Sequence, residues 1–292
     1  MRRLALCVTL AAAITSAASE AQTPKKSFLW EIRNAGAPPV YLMGSLHALT
    51  PDYYPLGANV ERAFADAKVL IEEVDIDELT NPTAAMALVG KAMLTDGRTL
   101  DQLIAADLCK TVMQRAESIG LPAMAIQRMK PWMAAVSLTA PALKTAGFNS
   151  GLGVDQYFFN KARTSKMERR ALETVAYQFD RLDQMPPAVQ EAMLRSVIAD
   201  LDTQIANVKV IADAWAIGDT SAIEKLLLGA LVESPDLYQR LLVERNRNWV
   251  QPVETCLKEK TACFVVVGAA HLVGPDSLVA LLRKKGHSVE QQ

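Results

Sequence analysis

Histidine is scarce in this chain, with three in 292 residues, and cysteine occurs only four times. No two cysteines stand in a Cys-x-x-Cys pair, which argues against a zinc knuckle or a thioredoxin-type redox site. There is no excess of either charge: 31 Lys and Arg face 32 Asp and Glu, a net −1. Such a balance gives no electrostatic footing for nucleic acid or an anionic membrane surface as partner. Past the N-terminus no apolar run reaches the ~20 residues that span a bilayer, so no membrane span is expected. A Gly-x-Ser-x-Gly elbow is missing, and with it the usual foothold of serine hydrolase chemistry. Gly151-Leu152-Gly153-Val154-Asp155 lacks the third glycine and the strand-to-helix setting of a dinucleotide fingerprint. Low-complexity tracts and short-period repeats are absent as well.

What is present begins with a secretory pattern: Arg2 and Arg3, an apolar run from Leu4 to Ile14, and a small-x-small site at Ser19-Glu20-Ala21. Residues 1–21 are therefore expected to be a cleaved signal peptide. Residues 22–292 are then the mature protein, periplasmic or secreted. Loss of Arg2, Arg3 and Glu20 takes the net charge from −1 to −2. Cys7 precedes most of the apolar run rather than following it, so no lipid anchor is expected. In an oxidising compartment Cys256 and Cys263, separated by a polar turn-like run, are expected to form a disulfide closing a hairpin. Cys109 reads as a buried small hydrophobe.

Periodicity divides the mature chain into two α/β ends and a helical middle at about 80–250. Phe28–Ile32 and Val40–Met43 read as a hairpin around Asn34-Ala35-Gly36. A helix over Leu56–Ala67 leads to the apolar strand Val69-Leu70-Ile71, which ends in Glu72-Glu73-Val74-Asp75. Helical spacing runs from Pro82 to Leu143 and from Pro187 to about Val250. Methionines in the first block, Met86 and Met124 among them, read as core filler. The chain closes with the strand Cys263–Val267, a helix over Pro275–Lys285 and a strand at 286–290. The fold class is α/β, with a central mixed or parallel sheet built from the N- and C-terminal parts.

Two of the three histidines, His47 and His271, share one context: each stands three residues after a glycine, Gly44 or Gly268, that ends an apolar strand. A glycine there permits a sharp turn. Ligands of open α/β sheets bind at the carboxyl ends of strands. Imidazoles placed there can ligate a metal or move protons near neutral pH. A divalent ion also needs carboxylates, and Glu72 and Glu73 sit at another strand end. Strand alternation puts them on opposite faces, so at most one is expected to face the site. His287 lacks the glycine turn and reads as structural.

These motifs, with Gly153-Val154-Asp155, Leu172-Glu173-Thr174 with Gln178, Glu244-Arg245-Asn246 with Trp249, and Gly268-Ala269-Ala270-His271-Leu272-Val273-Gly274, resemble the TraB/GumN family in the family's order over almost the whole mature chain. The resemblance implies a fold similar to the erythromycin esterases and the haem-binding ChaN proteins. It also implies kinship with TIKI-type Wnt-inactivating proteases, which depend on a divalent metal, manganese or cobalt. Carried onto this chain, it makes His47, Glu73 and His271 the metal-binding and catalytic set, with Arg245 as a further catalytic group. Asp155, Glu173 and Asn246 become orienting groups. The expected function is a metal-dependent hydrolase of peptide or protein substrates. The alternative is a non-catalytic haem- or metal-binding envelope protein using the same histidines.

Overall fold

The computed structural model describes residues 26–292 except Asn34 and Ala35. The expected signal peptide at 1–21, and two residues of the Asn34-Ala35-Gly36 turn, therefore lie outside the described residues. Six strands form one sheet: β1 Leu29–Arg33, β2 Val40–Ser45, β3 Val69–Glu72, β4 Glu168–Ala171, β5 Cys263–Gly268 and β6 Ser288–Gln291, in the order β4-β3-β5-β2-β1-β6. β2, β5, β3 and β4 are mutually parallel, while β1 runs antiparallel to its neighbours β2 and β6. β5, from the far end of the chain, lies between β2 and β3, which are joined in sequence through the helix Ala58–Asp66. That insertion aligns the carboxyl ends of three strands carrying the polar motifs.

β2, β3 and β5 are buried at every residue. Helices cover both faces of such a parallel core, so its strands read as continuous apolar runs. Phe264, Val265, Val266 and Val267 are each at most 1% exposed, and burial of side chains of this kind contributes about 1.5–3 kcal/mol apiece. A second core gathers Leu100, Val112, Ile126, Leu138 and Leu194 in the helical middle. There the helix Pro131–Thr145 packs along the long helix Pro187–Ala216.

Several expectations are corrected by the structure. The middle of the chain is not purely helical, because it supplies the edge strand β4, whose Glu-Arg-Arg-Ala sequence carries no alternating apolar face to announce it. Cys256 and Cys263 are bonded, but the bond joins the helix Glu244–Glu259 to the first residue of β5 and closes no hairpin. Met86 and Met124 are 76% and 80% exposed rather than core. Cys109 is a buried free thiol, as its helical setting suggested. Among the described residues no helix is long and apolar enough to cross a membrane.

Candidate active site

Both glycines leave space, and one of them also ends a strand. Neither has a positive φ; β2 continues through Gly44 to Ser45, whereas β5 ends at Gly268, which caps the short 3-10 turn Ala269–Leu272 that carries His271. A Cβ on Gly44 would lie 2.3 Å from Cδ1 of Phe28, so this position must be bare for the Phe28 ring to pack. A Cβ on Gly268 would stand 3.3 Å from Glu73 Oε1, 3.5 Å from His271 Cδ2 and 3.6 Å from His47 Nε2. The two imidazoles, 224 positions apart by their numbers 47 and 271, thus flank one small open space together with a carboxylate oxygen.

Around that space lies a crevice of about 440 Å³ lined by Ser45, His47, Glu72, Glu73, Asp155, Gln178 and Gly268, among others. Both glutamates line it, contrary to the alternation expected of a strand. β3 ends at Glu72, and Glu73 sits in a bend where the two-residue period no longer holds. Glu72 is 4% exposed and its Oε1 has no hydrogen-bond partner. Burial, with the nearby Asp155 charge, raises its pKa to about 9, so it is a neutral acid at physiological pH.

His47 is held from its Nδ1 side by Asp155 Oδ2 at 3.1 Å, while Ser45 Oγ donates to Asp155 Oδ1 at 2.9 Å. Gly153 makes this possible: a Cβ there would lie 2.7 Å from the His47 carbonyl oxygen, and Val154 N–H donates to the Leu46 carbonyl. Neighbouring protein disfavours an imidazolium, though the His47 side chain is 65% exposed and this effect is correspondingly weak; the charge and hydrogen bond of Asp155, with Glu73 beyond, outweigh it and raise the His47 pKa to about 9. Its Nε2 points into the open space.

His271 and Glu73 are fixed from behind. His271 is 4% exposed and packs against the Trp249 ring, centroids 4.4 Å apart and planes tilted by 46°. Its Nδ1 lies 2.6 Å from Asn246 Oδ1 and its Nε2 lies 3.1 Å from Arg245 Nη1. These partners assign a neutral ring that donates from Nδ1 to Asn246 and accepts from Arg245 at Nε2. Burial pushes the His271 pKa well down, in agreement. Glu73 accepts from Gly268 N–H at 2.6 Å, Gln178 Nε2 at 3.0 Å and Arg245 Nη2 at 2.5 Å. Burial alone would raise its pKa, yet the Arg245 guanidinium above all holds it well below the usual carboxylate range. Arg245 also donates to Glu173 Oε1 at 2.9 Å and to the Leu241 carbonyl at 3.1 Å. Glu173 is anchored in turn by Trp249 Nε1 at 3.0 Å.

All the site candidates therefore converge on one region, in two layers: His47, Glu72, Glu73 and Asp155 face the crevice, and His271, Arg245, Asn246 and Glu173 stand behind Glu73. His287 is elsewhere, 3.0 Å from Glu254. Composition gave no hint of Glu72 as an unpartnered acid or of Ser45 as a support for Asp155. The adjacency of Ser45 to the Gly44 motif was the available signal. A divalent ion held by His47, Glu73 and His271 needs a free donor atom from each. His47 Nε2 and Glu73 Oε1 face the space over Gly268, but both His271 nitrogens are engaged, and a guanidinium already sits on the Glu73–His271 pair. Among the described residues no three His, Cys, Asp or Glu side chains gather in a metal-holding arrangement. The expected ligand set does not fit a metal as these side chains stand.

A second, mostly apolar cavity of about 1100 Å³ adjoins the crevice, sharing His47 and Ser150 with it. Leu46, Val136, Leu143, Phe148, Met193 and Ile211 are among its walls.

Comparison with known proteins finds distant relatives over most of the chain. The chain is 25% identical to metalloprotease TIKI2 of Xenopus tropicalis over 327 residues, covering 93% of this chain and 61% of the relative. It is 25% identical to metalloprotease TIKI1 of Danio rerio over 324 residues, 92% of this chain and 64% of that protein. The chain thus spans less than two thirds of these metalloproteases. It is 22% identical to the uncharacterised YbaP protein of Escherichia coli K12, over 83% of this chain and 87% of the relative. No solved structure matches the chain. The model of the TraB/PrgY/gumN family matches residues 28–291, nearly all that the structure describes, and the chain belongs to that family.

Proposed function

We propose that this protein is an exported hydrolase of peptide bonds, working in the crevice over Gly268. The observation that carries the reading is that His47 Nε2 and Glu73 Oε1 lie 3.6 and 3.3 Å from one point, the Cβ position that Gly268 leaves empty. A water lodged in the crevice beyond that point, clear of the Gly268 backbone, is bordered by a proton donor and a carboxylate, the pair that general acid–base catalysis uses. Metalloprotease relatives and the Cys256–Cys263 disulfide, which suits an oxidising compartment, support the reading. The finer parts of the proposal are a periplasmic destination after loss of residues 1–21, a single mature unit over 22–292, and a fold likeness to erythromycin esterases and ChaN proteins.

In this reading a water held at Glu73 Oε1 attacks the carbonyl carbon, giving its proton to Glu73. The C–N bond breaks as His47 Nε2–H protonates the departing amine. Return of the proton from Glu73 to His47 restores both groups. Glu72, neutral through burial, is a hydrogen-bond donor for the carbonyl oxygen on the same wall. Arg245 and His271 act through Glu73, fixing its carboxylate, and Asp155 fixes the His47 ring. The adjoining apolar cavity, at about 1100 Å³ slightly larger than the ~300–1,000 Å³ of ordinary ligand pockets, accommodates large apolar side chains of the substrate.

A peptide-library digest by the purified mature protein tests this. Cleavage enriched beside large apolar residues, and lost in both His47→Ala and Glu73→Gln, is expected. Cleavage undiminished in both variants would end the reading.

A further inference from the structure

The Glu73–His271 pair, which the family resemblance would give to a metal, already holds a cation. Arg245 is 7% exposed and satisfies its guanidinium completely inside the protein: Nη2 on Glu73 Oε2 at 2.5 Å, Nη2 and Nε on Glu173 Oε1 at 2.8 and 2.9 Å, and Nη1 on His271 Nε2 and the Leu241 carbonyl, each at 3.1 Å. The Trp249 ring lies 4.6 Å beneath it, adding a cation–π contact. The turn just before it, Gln239–Val243, is π-helical, a departure that recurs where a helix is reshaped around a functional group. Such a planar fork matched to two carboxylates and an imidazole is a built position, not a side chain that happens to fold inward.

We propose that Arg245 is a resident internal cation, and that it and a divalent ion are mutually exclusive occupants of the Glu73–His271 pair. The reasons are donor count and charge. His271 Nε2 has one lone pair, and Arg245 Nη1–H takes it; its other nitrogen is spent on Asn246. A divalent ion seated on Glu73 and His271 would face a guanidinium within hydrogen-bonding distance of both ligands, in a buried setting where like charges repel strongly. Binding of the ion therefore requires Arg245 to leave, which strands Glu173 beside Trp249. The inference goes beyond the hydrolase reading and stands or falls independently of it.

The test is titration of the mature protein with cobalt(II), read by calorimetry and by visible absorbance, with no peptide present. Wild type is expected to bind cobalt no more tightly than His271→Ala. Arg245→Met is expected to bind at least tenfold more tightly than wild type, with the gain lost on adding His271→Ala. If wild type binds one equivalent in a manner that His271→Ala abolishes, or if folded Arg245→Met binds no more tightly than wild type, the proposal is overturned. Should Arg245→Met fail to fold, the wild-type and His271→Ala titrations decide alone. Because cleavage is not measured, failure of the hydrolase reading leaves this result unaffected.

Discussion

The two motif glycines offer a matched pair of substitutions with opposite consequences. In Gly44→Ala the new methyl would sit 2.3 and 2.7 Å from two atoms of the Phe28 ring, distances no packed structure tolerates. That ring is 1% exposed and packs edge-on to Trp30, with centroids 4.9 Å apart, so it has little room to retreat. Overpacking of this kind costs about 1–3 kcal/mol, only partly offset by the ~0.4–1 kcal/mol gained from restricting the unfolded chain. In Gly268→Ala the one tight approach is 3.3 Å to Glu73 Oε1, which must give by a few tenths of an ångström, while the other near atoms are in ordinary contact, so a small strain and the entropic gain should nearly cancel. The methyl does, however, occupy the space shared by His47, Glu73 and His271. Urea unfolding should therefore show Gly44→Ala destabilised and Gly268→Ala within about 0.5 kcal/mol of wild type, as for substitutions that break no packing. Peptide cleavage should be lost in Gly268→Ala despite its stability. A stable, fully active Gly268→Ala would refute the assignment of that space to the reaction.

Two further outcomes concern protonation. Asp155→Asn removes the charge and the hydrogen bond that raise the His47 pKa, so an NMR titration should find it moved down from about 9 toward the ordinary imidazole value of 6.5 or below; an unchanged titration would discount the Asp155 contact. Glu72 has a folded-state pKa of about 9 against 4.5 for the free side chain, so the native state retains a proton that the unfolded chain releases. Stability should accordingly decline as pH rises from about 4.5 toward 9 on this account, and Glu72→Gln should flatten that slope in thermal melts. An identical pH slope in the variant would show Glu72 to be solvated instead.

Much of the frame was legible because it rests on uninterrupted apolar runs. Val40–Met43, Val69–Ile71 and Cys263–Val267 are buried on both faces, and this is the pattern that announces parallel strands. β4 was not legible, since an edge strand of Glu-Arg-Arg-Ala needs only backbone partners from β3. The paired Gly-x-x-His motifs pointed to the candidate site, and β5 does end at Gly268 as expected, but β2 runs on past Gly44, where the glycine supplies room for the Phe28 ring; that need, like the crevice over Gly268, depends on atoms far away in sequence. Local spacing also could not reveal that Arg245 would take the His271 nitrogen, or that Glu72 would be left without a partner, because both depend on how a helix at 244–259 meets the end of β3.

With only three histidines in the chain, the site can be watched directly by their ring nitrogens. An uncleavable apolar peptide analogue titrated into nitrogen-15 histidine-labelled protein should shift the His47 resonances strongly, His271 slightly, and His287, held by Glu254, not at all. Movement of His287 without His47, or no movement of any ring at saturating peptide, would contradict the placement of the substrate over Gly268.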